Sequence, residues 1–207
     1  MCALRWAGPL DKEDIARNGE AVTDVWRVLG QIVTDVDVKL SERRVWLQGV
    51  ESRRYALLQD FAYGGKGWDA WLDGTHYSAT LRYFPGSVPL RAVALDVMPD
   101  VSQPSWAPAT VAESIEHASR IFASNPWLAQ VPMVLDAATP VAHDGTWQVH
   151  TSAGGFALQI NDASAWSLLA FSGGHALGAM AEWNGRALRI LSAWSAASSY
   201  WAPELSA

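Results

Sequence analysis

Residues 177–194, "LGAMAEWNGRALRILSAW", place Asn184-Gly185 between two apolar runs of strand length. Both central residues of a tight hairpin turn need positive φ, which Asn and Gly tolerate, so the dipeptide predicts a β-hairpin. Folding back there pairs Ala181 with Leu188 and Ala179 with Ile190. Upstream, "LLAFSGGHALG" offers a second turn at Gly173-Gly174, pairing Leu168 with Ala179 and Ala170 with Leu177. Both hairpins agree on one face, whose rows are Trp166–Ala181–Leu188 and Leu168–Ala179–Ile190. A small residue between two large ones suits a tightly curved sheet. The last third is therefore expected to form a small five-stranded β-barrel-like domain from residues 146–151, 156–160, 166–171, 177–183 and 186–194.

Earlier segments predict an α+β protein. Asp11-Lys-Glu-Asp14 reads as a helix start and Asn18-Gly19 as its stop. Val22, Val25, Trp26, Leu29, Ile32 and Val33 recur at the spacing of one helical face, so a second N-terminal helix is expected. A four-stranded antiparallel sheet follows: two strands around the turn Gly49–Ser52, then His76–Phe84 and Leu90–Met98. "VSQPSWAP" (101–108) is a linker by composition, and Thr110-Val-Ala-Glu113 has the spacing of a capping box before a helix that Asn125-Pro126 ends. The expected organisation is a helical hairpin and sheet over 1–100, a linker and helix over 101–140, and the barrel-like domain over 141–207. "SAGGF" at 152–156 echoes "SGGHA" at 172–176, which is read as shared turn chemistry rather than duplication.

Half of the 207 residues are hydrophobic and 17% are charged, a balance that buries a core rather than leaving long disorder. No apolar run approaches the ~20 residues that span a bilayer, and a signal-peptide pattern is missing, so the cytoplasm is the expected compartment. Cys2 is the one cysteine, which excludes an internal disulfide and a thiolate zinc cluster. Residues 1–91 hold 12 basic and 12 acidic side chains, whereas 92–207 hold Arg120, Arg186 and Arg189 against nine acids. The C-terminal half therefore repels phosphate backbones.

Ser172 and His175, opposite each other in the expected register, have the residue types of a nucleophile and its base, and a hydrolase is one alternative reading. The register supplies no acid to orient the imidazole, so local backbone bonding of both side chains is favoured. Gly173-Gly174 leads into a strand rather than a helix, unlike common phosphate loops. The other histidines, 76, 117, 143 and 150, lack metal-ligand spacing. Asp96 with Asp100, or Asp60 with Asp69 and Asp73, are read as exposed carboxylates rather than acid–base pairs. Neither a metal nor a cofactor is expected.

Twelve tryptophans are the most unusual feature of the composition. Trp68, Trp71, Trp194, Tyr200 and Trp201 fall in loop-like or terminal contexts and are candidates for a partner surface. Arg43, Arg44, Arg53 and Arg54, near Trp46 and Tyr55, have the mixture of a single-strand nucleic-acid platform, a further alternative that the acidic C-terminal half opposes.

"RRYALLQDFAYGGKGWDAWLDGTHYSATLRYFPGSVPLRAVALD" (53–96) and "DGTWQVHTSAGGFALQINDASAWSLLAFSGGHALGAMAEWNGRALRILSAW" (144–194) resemble the C-terminal region of bacterial SWIM zinc-finger family proteins. The motif that names that family, C-x-C followed by C-x-H, is absent here, so zinc binding does not carry over. The resemblance implies a non-enzymatic adaptor or interaction module, working with a MoxR-type AAA+ ATPase and a von Willebrand factor A-domain partner.

Overall fold

In the computed structural model, which describes residues 12–64, 68, 71–102, 104–196 and 199–203, the segment expected as a second helix is a long strand, β1 (Glu20–Asp37). The helical spacing has a specific origin. Trp26 and Val28 point into the first core, and a bulge between Val28 and Gly30 inserts Leu29, which packs against the other half of the molecule. A bulge flips the two-residue alternation, so apolar positions before and after it combine into an apparent three-and-four pattern. The β-branched Val22, Val25, Ile32 and Val33 suit a strand.

A short helix, α1 (Lys12–Asn18), precedes it at the expected place. There follow β2 (Leu40–Gly49), β3 (Tyr55–Tyr63), β4 (His76–Tyr83) and β5 (Arg91–Pro99). These strands close into a barrel in the order β1-β2-β3-β5-β4, rather than forming a four-stranded antiparallel sheet. Every pairing is antiparallel except β3–β5, which is parallel. Trp26, Val45, Leu47, Leu58, Trp71 and Leu81 fill it.

The helix α2 (Val111–Ser124) carries the expected capping box, with Thr110 and Glu113 each bonded to the other's backbone N–H. Beyond it lie β6 (Val131–His143), β7 (Thr146–Thr151), β8 (Gly154–Leu158), α3 (Asp162–Ser172), β9 (Leu177–Trp183), β10 (Ala187–Trp194) and β11 (Tyr200–Trp201). Strand β6 starts inside the segment read as linker and helix.

The expected strand 166–171 is part of α3. Asn161 accepts from the Ser164 N–H as N-cap, and Gly173 closes the helix at φ 55. A left-handed residue after a helix is most easily glycine, so Gly173 ends a helix instead of turning a hairpin. The Asn184-Gly185 turn does join β9 to β10, but Ala181 faces Ile190 and Trp183 faces Leu188. The Asn184 side chain accepts from the Arg186 and Ala187 N–H groups, which widens the turn and shifts the register by two.

The C-terminal strands form a six-stranded sheet, β11-β10-β8-β7-β6-β9, and a further pairing of β9 with β10 joins its interior. Setting β11 aside, its pairings repeat those of the first barrel strand for strand, including one parallel pair, β8–β10. This is the connectivity of OB-type barrels. The repetition lies in strand order, where the sequence echo of two glycine turns did not point to it.

The two halves and α2 share one core of Leu29, Trp46, Tyr55, Ile121, Val134, Met180 and Leu191. Strand β10 is also irregular, between Ile190 and Ser192. At the contact of the two bulges the Ser192 hydroxyl donates to the Leu29 carbonyl. Gly30 is needed there, because a Cβ on it would lie 3.0 Å from the Leu191 Cβ.

Candidate functional site

Strands β2 and β3 place Arg44, Trp46 and Gln48 opposite Gln59, Leu57 and Tyr55 on the outer face of the first barrel. Glu182 on β9 comes against this face, 3% exposed. Arg44 Nε and Nη2 donate to its two carboxylate oxygens, each at 2.9 Å, and Trp46 Nε1 donates to Oε1 at 2.9 Å. A third bond runs from Arg44 Nη1 to Glu42, at 2.8 Å. Burial alone pulls the Arg44 guanidinium pKa down, but the bonds and charges of Glu182 and Glu42 hold it above its ordinary value. The forked geometry is the strong form of an ion pair, and here it locks one half of the molecule to the other.

Arg43, Arg53 and Arg54 are likewise engaged by the protein. Arg43, 3% exposed, pairs with Asp60 at 3.3 Å and lies 5.0 Å from the Trp68 ring. Arg53 donates to the Ala107 carbonyl, while Arg54 donates to both oxygens of Glu20 and stacks on Tyr83 at 4.2 Å. Trp46 and Tyr55 are buried, so the aromatic faces that a nucleic-acid strand needs are covered.

The tryptophan candidates divide. Trp71 and Trp201 are buried at 6% and 8% exposure: Trp71 fills the first barrel against Tyr77, and Trp201 donates to Ser167. Both correct the expectation of surface anchors, since a large ring is retained more firmly as core than as rim. Trp68 is half-buried against Arg43. Trp194 and Tyr200 belong to a junction around Arg27, whose guanidinium carbon lies 4.5 Å from the Trp106 ring and 5.9 Å from that of Tyr200. Trp106 packs edge-on against Trp194, and Arg27 donates to the Tyr200 hydroxyl. His76, 5% exposed, faces Arg27 through Nε2 at 3.4 Å. Its pKa is lowered by burial and then by the Arg27 charge.

Ser172 and His175 are not opposed across a hairpin. The Ser172 hydroxyl donates to the Leu169 carbonyl at 2.7 Å and accepts from the Gly174 N–H at 3.0 Å, which places it in the helix end. Ser172 is 5% exposed, whereas His175 lies at the surface. Among the carboxylates, Asp100 accepts from Ser78 and Ser102, and Asp60 from Lys12 and Arg43. Asp73 differs: burial pushes its pKa up to about 6 against a bond from Gln31. Cys2 and Asp69 lie outside the described residues, and no group of three or more metal-ligating side chains occurs among those described.

Sequence reasoning missed two features. One is Glu182, a lone acid in the apolar run "LGAMAEW"; a buried carboxylate demands a partner, and that was the available signal. The other is a rim of exposed apolar side chains at one end of the first barrel. Phe61 and Tyr63, 51% and 65% exposed, alternate with the buried Ala62 on β3. Tyr63 pairs with Leu40 in the β2–β3 ladder, and Gly64 N–H donates to the Lys39 carbonyl. The β1–β2 tip, with Val38 at 95% exposure, thus lies beside the end of β3. No protein-family model, curated protein or solved structure matches the chain.

Proposed function

We propose that this chain is a non-enzymatic interaction or adaptor module whose partner surface is the rim of Val38, Phe61 and Tyr63. The observation that carries this reading is the exposure of those three side chains at 95%, 51% and 65% on neighbouring segments of one barrel end. Clustered apolar surface of this kind marks binding sites, because water gains little from keeping it bare. The engagement of the Ser172 hydroxyl by the end of α3 supports the non-enzymatic side of the reading.

The resemblance to SWIM zinc-finger proteins supplies the partner to test, a MoxR-type AAA+ ATPase with a von Willebrand factor A-domain protein. Tagged chain is mixed with each purified partner, and the Phe61→Asp/Tyr63→Asp double variant is run beside it. Retention by the native chain and its loss by the variant are expected, with the variant's melting temperature close to native because both positions are exposed. Equal retention by a folded variant, or no retention by the native chain, overturns the proposal.

A further inference from the structure

A cleft of about 580 Å³ runs between the second half of β1, the segment that leads into α3, and β10. Its size lies within the range of small-ligand sites, about 300–1,000 Å³. Ile32, Val33 and Ile160 form apolar wall, Arg189 and Asn161 add polar groups, and Ile190, 3% exposed, belongs to the core behind it.

Arg189 is half-buried and, among the described residues, has no ion pair and no side-chain hydrogen bond. The reason is visible in the ladder. Its cross-strand partner is Glu182, whose carboxylate is taken by Arg44 and Trp46. The Arg189 guanidinium nitrogens are not among the buried unpartnered side-chain atoms, so the fork of donors is open to an incoming ligand and matches a carboxylate. Asn161 Oδ1 is occupied by the Ser164 N–H at 2.8 Å, which leaves the NH₂ half of that amide as donor. Asp35, exposed at the margin, accepts from Ser41 and disfavours a doubly charged anion such as phosphate.

We propose that this cleft binds a small monocarboxylate with an apolar body, its head on Arg189 and Asn161 and its chain along Ile32, Val33 and Ile160. The site is separate from the rim and does not depend on the adaptor reading.

Octanoate is the probe, titrated into the full chain while isoleucine and valine methyl resonances are followed. Saturable shifts at Ile32, Val33 and Ile160 are expected, with octanol and octylamine at least about tenfold weaker, the scale of a charged hydrogen bond. Arg189→Gln is expected to weaken octanoate by a similar factor, Arg189→Lys to keep part of the affinity, and Asp35→Asn to tighten binding. Octanol binding as tightly as octanoate, saturation at other methyls, or no saturable shift overturns the assignment. Should Arg189→Gln fail to fold, the octanoate and octanol titrations of the native chain still decide.

Discussion

Strands β2 and β3 of the first barrel and β7 and β8 of the C-terminal sheet hold the same places in one strand order, yet their outer faces differ. The first face carries Arg44, Trp46, Gln48 and Tyr55, all buried beneath α2 and the C-terminal strands. In the second, the ladder pairs Gln148 with Ala157 and His150 with Gly155, and those side chains lie at or near the surface. In OB-type barrels the face of strands two and three is a common ligand surface. The first unit uses that face to hold the second, and the second turns β6, β9 and β10 towards the first. Repeated topology therefore does not imply repeated surfaces: which residues stand on the outer side of the pleat decides what each copy can do.

The largest effect is expected on removal of the acid that joins the halves. Glu182→Ala leaves Arg44 Nε and Nη2 and the Trp46 N–H buried without an acceptor, Glu42 still holding Arg44 Nη1, and such a loss costs about 3–5 kcal/mol. Urea unfolding should register it. The compensated double change Arg44→Met/Glu182→Leu is expected to recover most of that loss, since an apolar pair can replace a buried ion pair. A Glu182→Ala chain as stable as the native one would show that the covered face is held by packing alone.

A smaller effect follows from pH. His117 on α2 packs its ring 5.0 Å from that of Tyr55 at the covered face, and burial lowers its pKa; His76 is lowered likewise. For both, the unfolded chain takes up protons first as pH falls below the ordinary 6.5, so stability is full above that value and declines beneath it. Asp73 works in the opposite sense: the folded protein holds its proton from about 6 down to the ordinary 3.8, offsetting part of the decline. The urea midpoint should fall between pH 7 and 5.5, and His76→Gln/His117→Gln should flatten that fall. An unchanged slope in the double variant would remove the two histidines as its cause.

The smallest effect belongs to the open face. Gln148→Ala and His150→Ala, measured by the same unfolding, are expected to stay within about 0.5 kcal/mol of native. A larger loss at either position would mean that this face is also sealed, and the contrast between the two copies would disappear.

Local chemistry was legible wherever short-range bonds decide the outcome. The capping box at Thr110-Glu113, the stop at Asn18-Gly19 and the hairpin at Asn184-Gly185 are all present, because each rests on residues a few positions apart. The N-cap Asn161 and the Gly173 end of α3 are local signals of the same kind, but Gly173-Gly174 has equally the chemistry of a hairpin turn, and the expected strand 166–171 followed from that reading. Of the interaction candidates, Trp68, Trp194 and Tyr200 remain at least partly accessible, whereas Trp71 and Trp201 went into cores.

Composition and short-range pattern are enough to make the chain mixed α and β, to place β4, β5, β7, β9 and β10 within a residue or so, and to make its C-terminal half acidic. Long-range packing sets Leu29 on a bulge, brings Glu182 to Arg44 across 138 positions and leaves Arg189 facing a cleft. The physical reason is one of range. Turns and caps are satisfied within a few residues, whereas a buried charge takes whichever partner folding brings to it, and no spacing along the chain encodes that meeting.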